Sequence, residues 1–401
     1  MSAPGPFGGD NPFEAMPIFG DLAKLFTNQG PVNWEVARQI GGFMAAEGQS
    51  EDNVDPLERI RLEELARVAE LQIADFTGLA TSTTGRSVSV RATNRSEWAN
   101  VTLEAYRPLF GRLASSLGSS MQLPAEDADD PLATGLGGPI PEEMLGNLIG
   151  VMAPMILGMQ LGLMVGHLAK RSLGQYDLPV PRPLGDELLV VATNLDVFGK
   201  DWSLPADDLR LWVCLDSVAH HAVLGLPHVR QRLEELLFSY AGGFAPDPNA
   251  LTERMSDIDP TDQGSWEHVF GDPDAFFGTL ESDEQRRIKP ELLALTSTIE
   301  GYIDYTMDEV GGRLIASYGS LAEALRRRRV EANKGDRFVE RLFGLELSQR
   351  HFDRGEAFVR GVVERHGAPG LARLWSSAVE LPTPNEVDAP GLWWERIHLP
   401  R

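Results

Sequence analysis

The run Leu-Trp-Val-Cys-Leu-Asp-Ser-Val-Ala-His-His-Ala-Val-Leu, residues Leu211–Leu224, is apolar except at Asp216, Ser217, His220 and His221. A helix turns once in about 3.6 residues, so Asp216 and His220 point the same way. Their spacing is that of H-E-x-x-H, in which two histidines hold a metal ion and the glutamate beside the first takes a proton from water. In this chain Asp216 stands at the first histidine, Ser217 at the base, and only His220 keeps its residue type. A carboxylate can still hold a metal, since zinc accepts such an oxygen at about 2.0–2.2 Å. A donor set richer in oxygen is harder, and tolerates Mn²⁺ or Mg²⁺ better than a two-histidine set does. Ser217 is no base near neutral pH, and losing a general base costs about 10²–10⁴ in rate. His221 is a weak substitute, because it projects about 100° around the helix from His220. Ser217 and His221 could also form a nucleophile–base pair, but no elbow or oxyanion element accompanies them.

A second constellation is Glu300, Asp304 and Asp308, spaced so that three carboxylates share one helical stripe. Like charges at this spacing repel by a few tenths of a kcal/mol per pair on an isolated helix. A cation or histidine partner would relieve that repulsion. Spacing alone favours a solvated stripe, with Asp304 as a weak substitute base should the stripe face the motif helix.

Composition narrows the classes. The chain has 401 residues, 42% of them hydrophobic and 24% charged, which suits a globular protein with a large core. A net charge of −23 argues against nucleic acid and anionic membrane surfaces as partners. One cysteine, Cys214, sits in the apolar motif run and is expected to be a small core residue in a reducing compartment. The N-terminal residues have no basic-then-apolar pattern, so a cytoplasmic location is expected. Met144–Ala169 carries no charge over 26 residues, long enough to span a bilayer. Gly146, Gly150, Gly158, Gly162 and Gly166 recur in it at multiples of four, with Pro154 in the series. Asn147, Gln160 and His167 also lie within it, so the segment is expected to be a buried central helix with a small-residue face. His167 then reads as a core histidine.

The chain reads as mainly α. Residues 1–18 are expected to be a flexible N-terminus and 19–401 one helical unit, divisible into 19–180 and a metal-motif part, 181–401. Helical periodicity begins near Phe19 and continues in Trp34–Ala46, Pro56–Leu79 and a helix opened by Ser96. Leu123–Pro141 is expected to be a loop. Thr81–Asn94 and Leu188–Thr193 are the candidates for one or two short strands. The motif helix should run Leu204–Leu224, with Asp201 or Ser203 near its start, followed by Pro227–Tyr240. Residues 244–288 are an acidic excursion or lid. Helices are expected over Pro290–Tyr318, Ala322–Val330, Gly335–Phe343 and Asp353–His366. The tract Arg326–Arg329 reads as a solvated helix end that complements the dipole.

Longer stretches carry a specific resemblance. Asp201–Leu215 and Val218–Val223 resemble the zincin-like metallopeptidases of actinobacteria, as do Asn11–Glu14, Gln29–Trp34, Asp55–Arg67 and Gly174–Pro179. Glu300–Tyr302, Gly335–Phe338 and Phe358–Glu364 extend the likeness over nearly the whole chain. The resemblance implies a multi-helix zincin-like fold in which the Gly-striped helix is internal. It also implies a zinc ion held by two histidines of one helix and an acid from another. On that pattern His220 carries over as second ligand, Glu300 as third, and Asp216 occupies the first. Tyr305 stands where many relatives have a histidine. Because His-Glu is replaced by Asp216-Ser217, the expected protein is a catalytically impaired pseudoenzyme that binds a peptide or protein in the former substrate cleft. The competing expectation is an active hydrolase that uses Asp216, His220 and Glu300 as ligands.

Overall fold

The long uncharged segment forms helix α5 (Glu142–Arg171), and its glycines decide what lies against it. A Cβ built on Gly158 would stand 2.3 Å from the Asn33 carbonyl oxygen, and one on Gly162 would stand 2.5 Å from that of Ala37. On Gly166 it would meet Met44 Cβ at 2.6 Å. Only glycine therefore lets helix α1 (Trp34–Ala45) run along this face. Asn33 caps α1 through its side chain and donates its own N–H to the Pro154 carbonyl at 2.8 Å. Leu157, Leu161, Met164, Val165 and Leu168 are buried, as an internal helix requires. Among the described residues, no helix is long and apolar enough to cross a membrane.

The computed structural model describes residues 30–120, 142–244, 281–330 and 334–399. The expected flexible N-terminus, the helix near Phe19, the 123–141 loop and most of the 244–288 excursion lie outside them. The described residues hold fourteen α-helices and one two-stranded sheet, a mainly α architecture. Strands β1 (Ser89–Thr93) and β2 (Glu187–Val191) pair in parallel, Ser89 opposite Glu187 and Thr93 opposite Val191. Helix α2 (Pro56–Thr77) follows α1, capped by Asp55 with Pro56 in its first turn. After β1 come α3 (Arg95–Ala105) and α4 (Arg107–Ser120), then α5 and β2. The N-cap of α3 is Asn94 rather than Ser96, because the Asn94 side chain is placed to accept from the Glu97 N–H.

From β2 the chain enters α6 (Ala192–Asp201), then the motif helix α7 (Ala206–Leu224) and α8 (Pro227–Gly242). α7 packs on α2, and Arg210 joins Glu58 through two hydrogen bonds of 2.6 and 2.9 Å in a nearly covered pair. Helix α9 (Asp283–Leu314) starts seven residues before the expected Pro290, so the end of the acidic excursion is helical. Ser282 and Gln285 form a reciprocal capping box there, which outweighs the proline in fixing the start. α10 (Tyr318–Val330), α11 (Lys334–Phe343), α12 (Gln349–Ala372), α13 (Pro384–Asp388) and α14 (Pro390–His398) complete the described chain.

α9 and α12 make the second close crossing. A Cβ on Gly355 would lie 1.7 Å from the Ser297 carbonyl oxygen, and one on Gly301 would lie 2.1 Å from the Gly355 carbonyl carbon. Beside the crossing, His351 is buried with Nε2 at 3.2 Å from the Thr296 hydroxyl. Burial pushes its pKa down to about 4. His167, in contrast, is only half-buried rather than a core histidine.

Two predictions follow from this crossing. Gly355→Ala should lower stability by more than about 3 kcal/mol, because a backbone carbonyl cannot give way. Gly111→Ala on α4 has open space and should be neutral or stabilising. Thermal melts of the two variants decide; similar Tm values would contradict the crossing. As for pH, the unfolded chain binds a proton at residue 351 below about pH 6.5, whereas the folded chain resists it until about pH 4. Stability should thus decline as pH falls through that window, by up to about 3 kcal/mol from this group. His351→Gln should flatten that acid limb in urea titrations, and an unchanged limb would refute the assignment.

Candidate functional site

Helix α7 begins after Pro205 without a side-chain cap, and Ser203 adopts a left-handed φ of 52° instead of capping it. Asp207 and Asp208 in the first turn complement the helix dipole, and Asp208 also accepts from the Ser317 N–H and hydroxyl. Leu209, Val213, Leu215 and Val218 bury the helix in the core. Cys214 is fully buried, and burial pushes its thiol up to about 12, so it is inert packing.

His220 lies between two carboxylates. Its Nδ1 is 2.9 Å from the Asp216 carbonyl oxygen and 3.4 Å from Asp216 Oδ2. Its Nε2 has no hydrogen-bond partner and lies 3.6 Å from Glu300 Oε1 of α9. Tyr176 stacks on the ring, with centroids 5.8 Å apart and planes at 12°. Burial favours the neutral ring, but Asp216 and then Glu300 outweigh it and raise the pKa well above the usual histidine value. Asp216, His220 and Glu300 are thus brought together.

The rest of the acidic stripe is paired as well. Asp304 receives both arms of the Arg329 guanidinium at 2.7 and 2.8 Å, and Asp308 pairs with Arg360 at 2.6 Å and the Tyr318 hydroxyl at 2.8 Å. The arginine tract is therefore not simply a solvated helix end. Arg326 and Arg327 meet Glu323 at the surface, whereas Arg328 pairs with Asp177 and Arg329 turns inward over the Phe352 ring at 4.0 Å.

Ser217 and His221 face elsewhere. Ser217 is 1% exposed and packs on Gly174, where an added Cβ would stand 3.0 Å from its Oγ. His221 Nδ1 is 2.9 Å from the Tyr176 hydroxyl, and its Nε2 is 3.2 Å from Asp186. Asp186 also accepts from the Thr83 N–H at 2.6 Å, the Thr83 hydroxyl at 2.8 Å, the Ser82 hydroxyl at 2.9 Å and the Thr84 N–H at 3.0 Å. The Thr84 hydroxyl is a further donor. Burial would raise the Asp186 pKa, yet the donors of Thr84, Thr83 and His221 hold it well below the usual carboxylate range. An ionised Asp186 assigns His221 the Nε2–H tautomer, leaving Nδ1 to accept from Tyr176. Burial keeps this imidazole neutral, its pKa below the ordinary value. Sequence reasoning missed Tyr176 and Asp186 as site residues. Tyr176 lies in the Gly174–Pro179 stretch that carries the resemblance, and for Asp186 the signal is the hydroxyl run Thr81–Thr84, rich in side chains able to wrap a carboxylate.

A cleft of about 100 Å³ opens beside His220, lined by Tyr176, Trp212, Asp216, Glu300 and Arg329 among others. That is room for one side chain or a few waters, against roughly 300–1,000 Å³ for small-molecule pockets. A catalytic zinc takes three protein ligands. Here His220 Nε2 and Glu300 Oε1 face one another, while Asp216 sits at Nδ1 on the other side of the ring. Among the described residues, no three His, Cys, Asp or Glu are arranged to hold a metal ion. The residues present do not fit zinc.

Helical architecture, motif position and the acid on a second helix define a class. The chain belongs to the zincin-like metallopeptidase family, whose sequence profile matches residues 32–394. It is similar to a solved structure from Chloroflexus aurantiacus, a candidate hydrolase with a novel fold. That protein is 26% identical, and the alignment covers 92% of this chain and 100% of the other with a TM-score of 0.61. No curated protein matches the chain.

Asp186→Ala would strand two backbone N–H groups and several hydroxyls, and should cost about 3–5 kcal/mol. The Asp186 contribution is present above the unfolded carboxylate pKa and is lost only as pH falls towards the depressed folded value. Urea denaturation at neutral pH measures it, and a loss below about 1 kcal/mol would contradict the network.

Proposed function

We propose that this protein is a zincin-like family member whose motif is degenerate, and that it works by binding rather than by hydrolysis. Its ligand is a peptide or protein segment that anchors one side chain in the cleft beside His220. Ser217 is the observation that carries this reading: the position of the general base bears a hydroxyl that is 1% exposed and turned onto Gly174. The substitute bases are already engaged, Asp304 by Arg329 and His221 by Tyr176 and Asp186. Trp212 and Tyr176 on the cleft wall offer the rigid aromatic surface on which peptide side chains gain affinity. A reducing, cytoplasmic setting accords with the single buried Cys214.

The rival reading is a hydrolase with Asp216, His220 and Glu300 as metal ligands, and the unpartnered Nε2 of His220 is what favours it. Peptidase assays on fluorogenic peptides with added zinc or manganese separate the two. No turnover is expected from the native chain, whereas Asp216→His with Ser217→Glu should gain zinc affinity. Native turnover that His220→Ala abolishes would overturn the proposal. For the binding half, panning a displayed peptide library on the native chain should enrich a consensus that Trp212→Ala loses. A library that yields no consensus would count against it.

A further inference from the structure

Glu300 is 6% exposed, and Asp304 lies one turn further along the same face of α9. Asp216 faces the same cleft from α7. A two-histidine zinc site adds one such carboxylate, and among the described residues the donors do not converge on a metal ion. The cation that faces them is a guanidinium. Arg329 lies one helix away on α10, grips Asp304 with both arms, stacks on Phe352 and lines the cleft with Asp216, His220 and Glu300. Burial disfavours its positive charge, but Asp304, and then Glu300 and Asp216, outweigh that. In the same cleft, the buried Nε2 of His220 makes no hydrogen bond and lies 3.6 Å from Glu300.

We infer that Arg329 is an internal cation of this cleft, supplying from the chain itself positive charge that a metal ion would otherwise bring. The inference rests on the proposal above that the cleft works without a metal. With His220 the guanidinium offsets most of the acid charge here and makes the site indifferent to divalent cations. A planar guanidinium can bind a carboxylate through two parallel bonds, but it has no open coordination position and cannot activate water. It also implies a concealed property. Without Arg329, the Asp304 carboxylate loses its cation beside Glu300 and Asp216, and a hard divalent ion such as Mn²⁺ becomes the way to restore the balance.

Thermal melts of the full chain in EDTA and in millimolar Mn²⁺ test this. The native chain should melt at the same temperature in both. Arg329→Gln should melt about 4–6 °C lower in EDTA, the shift expected from stranding a partly buried carboxylate in a chain of this size. Mn²⁺ should recover at least half of that loss. Arg329→Lys keeps the charge without the fork and should remain indifferent to Mn²⁺. If the Gln variant does not fold alone, its refolding yield with and without Mn²⁺ gives the same readout, higher with the ion. A Gln variant as stable as the native chain, or one whose loss or refolding ignores Mn²⁺, would overturn the inference. So would a Lys variant stabilised as much as the Gln variant, since the net charge of −23 could then attract the ion non-specifically. Metal-dependent peptide cleavage by the native chain would instead overturn the reading beneath it.

Discussion

A carboxylate buried away from water needs a cation or several donors, and Glu300 imposes that requirement on everything around it. It sits on the inner face of α9, where the Gly301–Gly355 crossing draws α12 in close. Glu300 is nearly covered, so its charge must be met chiefly by other side chains. α7 brings His220 to within 3.6 Å of Glu300, and the turn after α9 sends α10 back so that Arg329 reaches Asp304. Asp308, at the open end of the stripe, finds Arg360 from α12 and the Tyr318 hydroxyl. The arrangement is one line of acids, each matched by a basic group from a different helix.

Behind the motif helix the same rule holds with different partners. Asp186 is satisfied almost entirely by hydroxyl and backbone donors, and His221 is held neutral between it and Tyr176. Tyr176 belongs to both sides, stacking on His220 and donating to His221. A single aromatic ring thus fixes the two adjacent histidines in opposite roles. His220 is charged by carboxylates, whereas His221 is neutral and structural. The adjacency of the two in sequence conceals this, because neighbours on a helix project about 100° apart.

Much of the fold was legible. Glycines four residues apart announced a close helix partner, and α1 is that partner. A polar β-branched run marked the first strand and an apolar run the second. The i, i+4 relation put Asp216 and His220 on one face, whereas the acidic stripe, expected to be solvated, is paired at Asp304 and Asp308. What periodicity could not carry was pairing at long range. Arg329 lies 25 positions from Asp304, and Tyr176 lies 45 from His221; no local spacing links them. Nor does spacing tell which side of an imidazole a carboxylate takes, and that choice separates a metal ligand from an ion pair. Membership of the zincin-like family describes the scaffold, but chemistry resides in the site.

The central claim is that basic groups of the chain itself, His220 and Arg329, meet the acids of this cleft in place of a metal ion. The most direct measurement is the metal content of the native protein by mass spectrometry, after purification without chelators and with His220→Ala alongside. The account predicts zinc and manganese far below one equivalent per chain in both proteins. Near-stoichiometric metal in the native chain, absent from the variant, would contradict it.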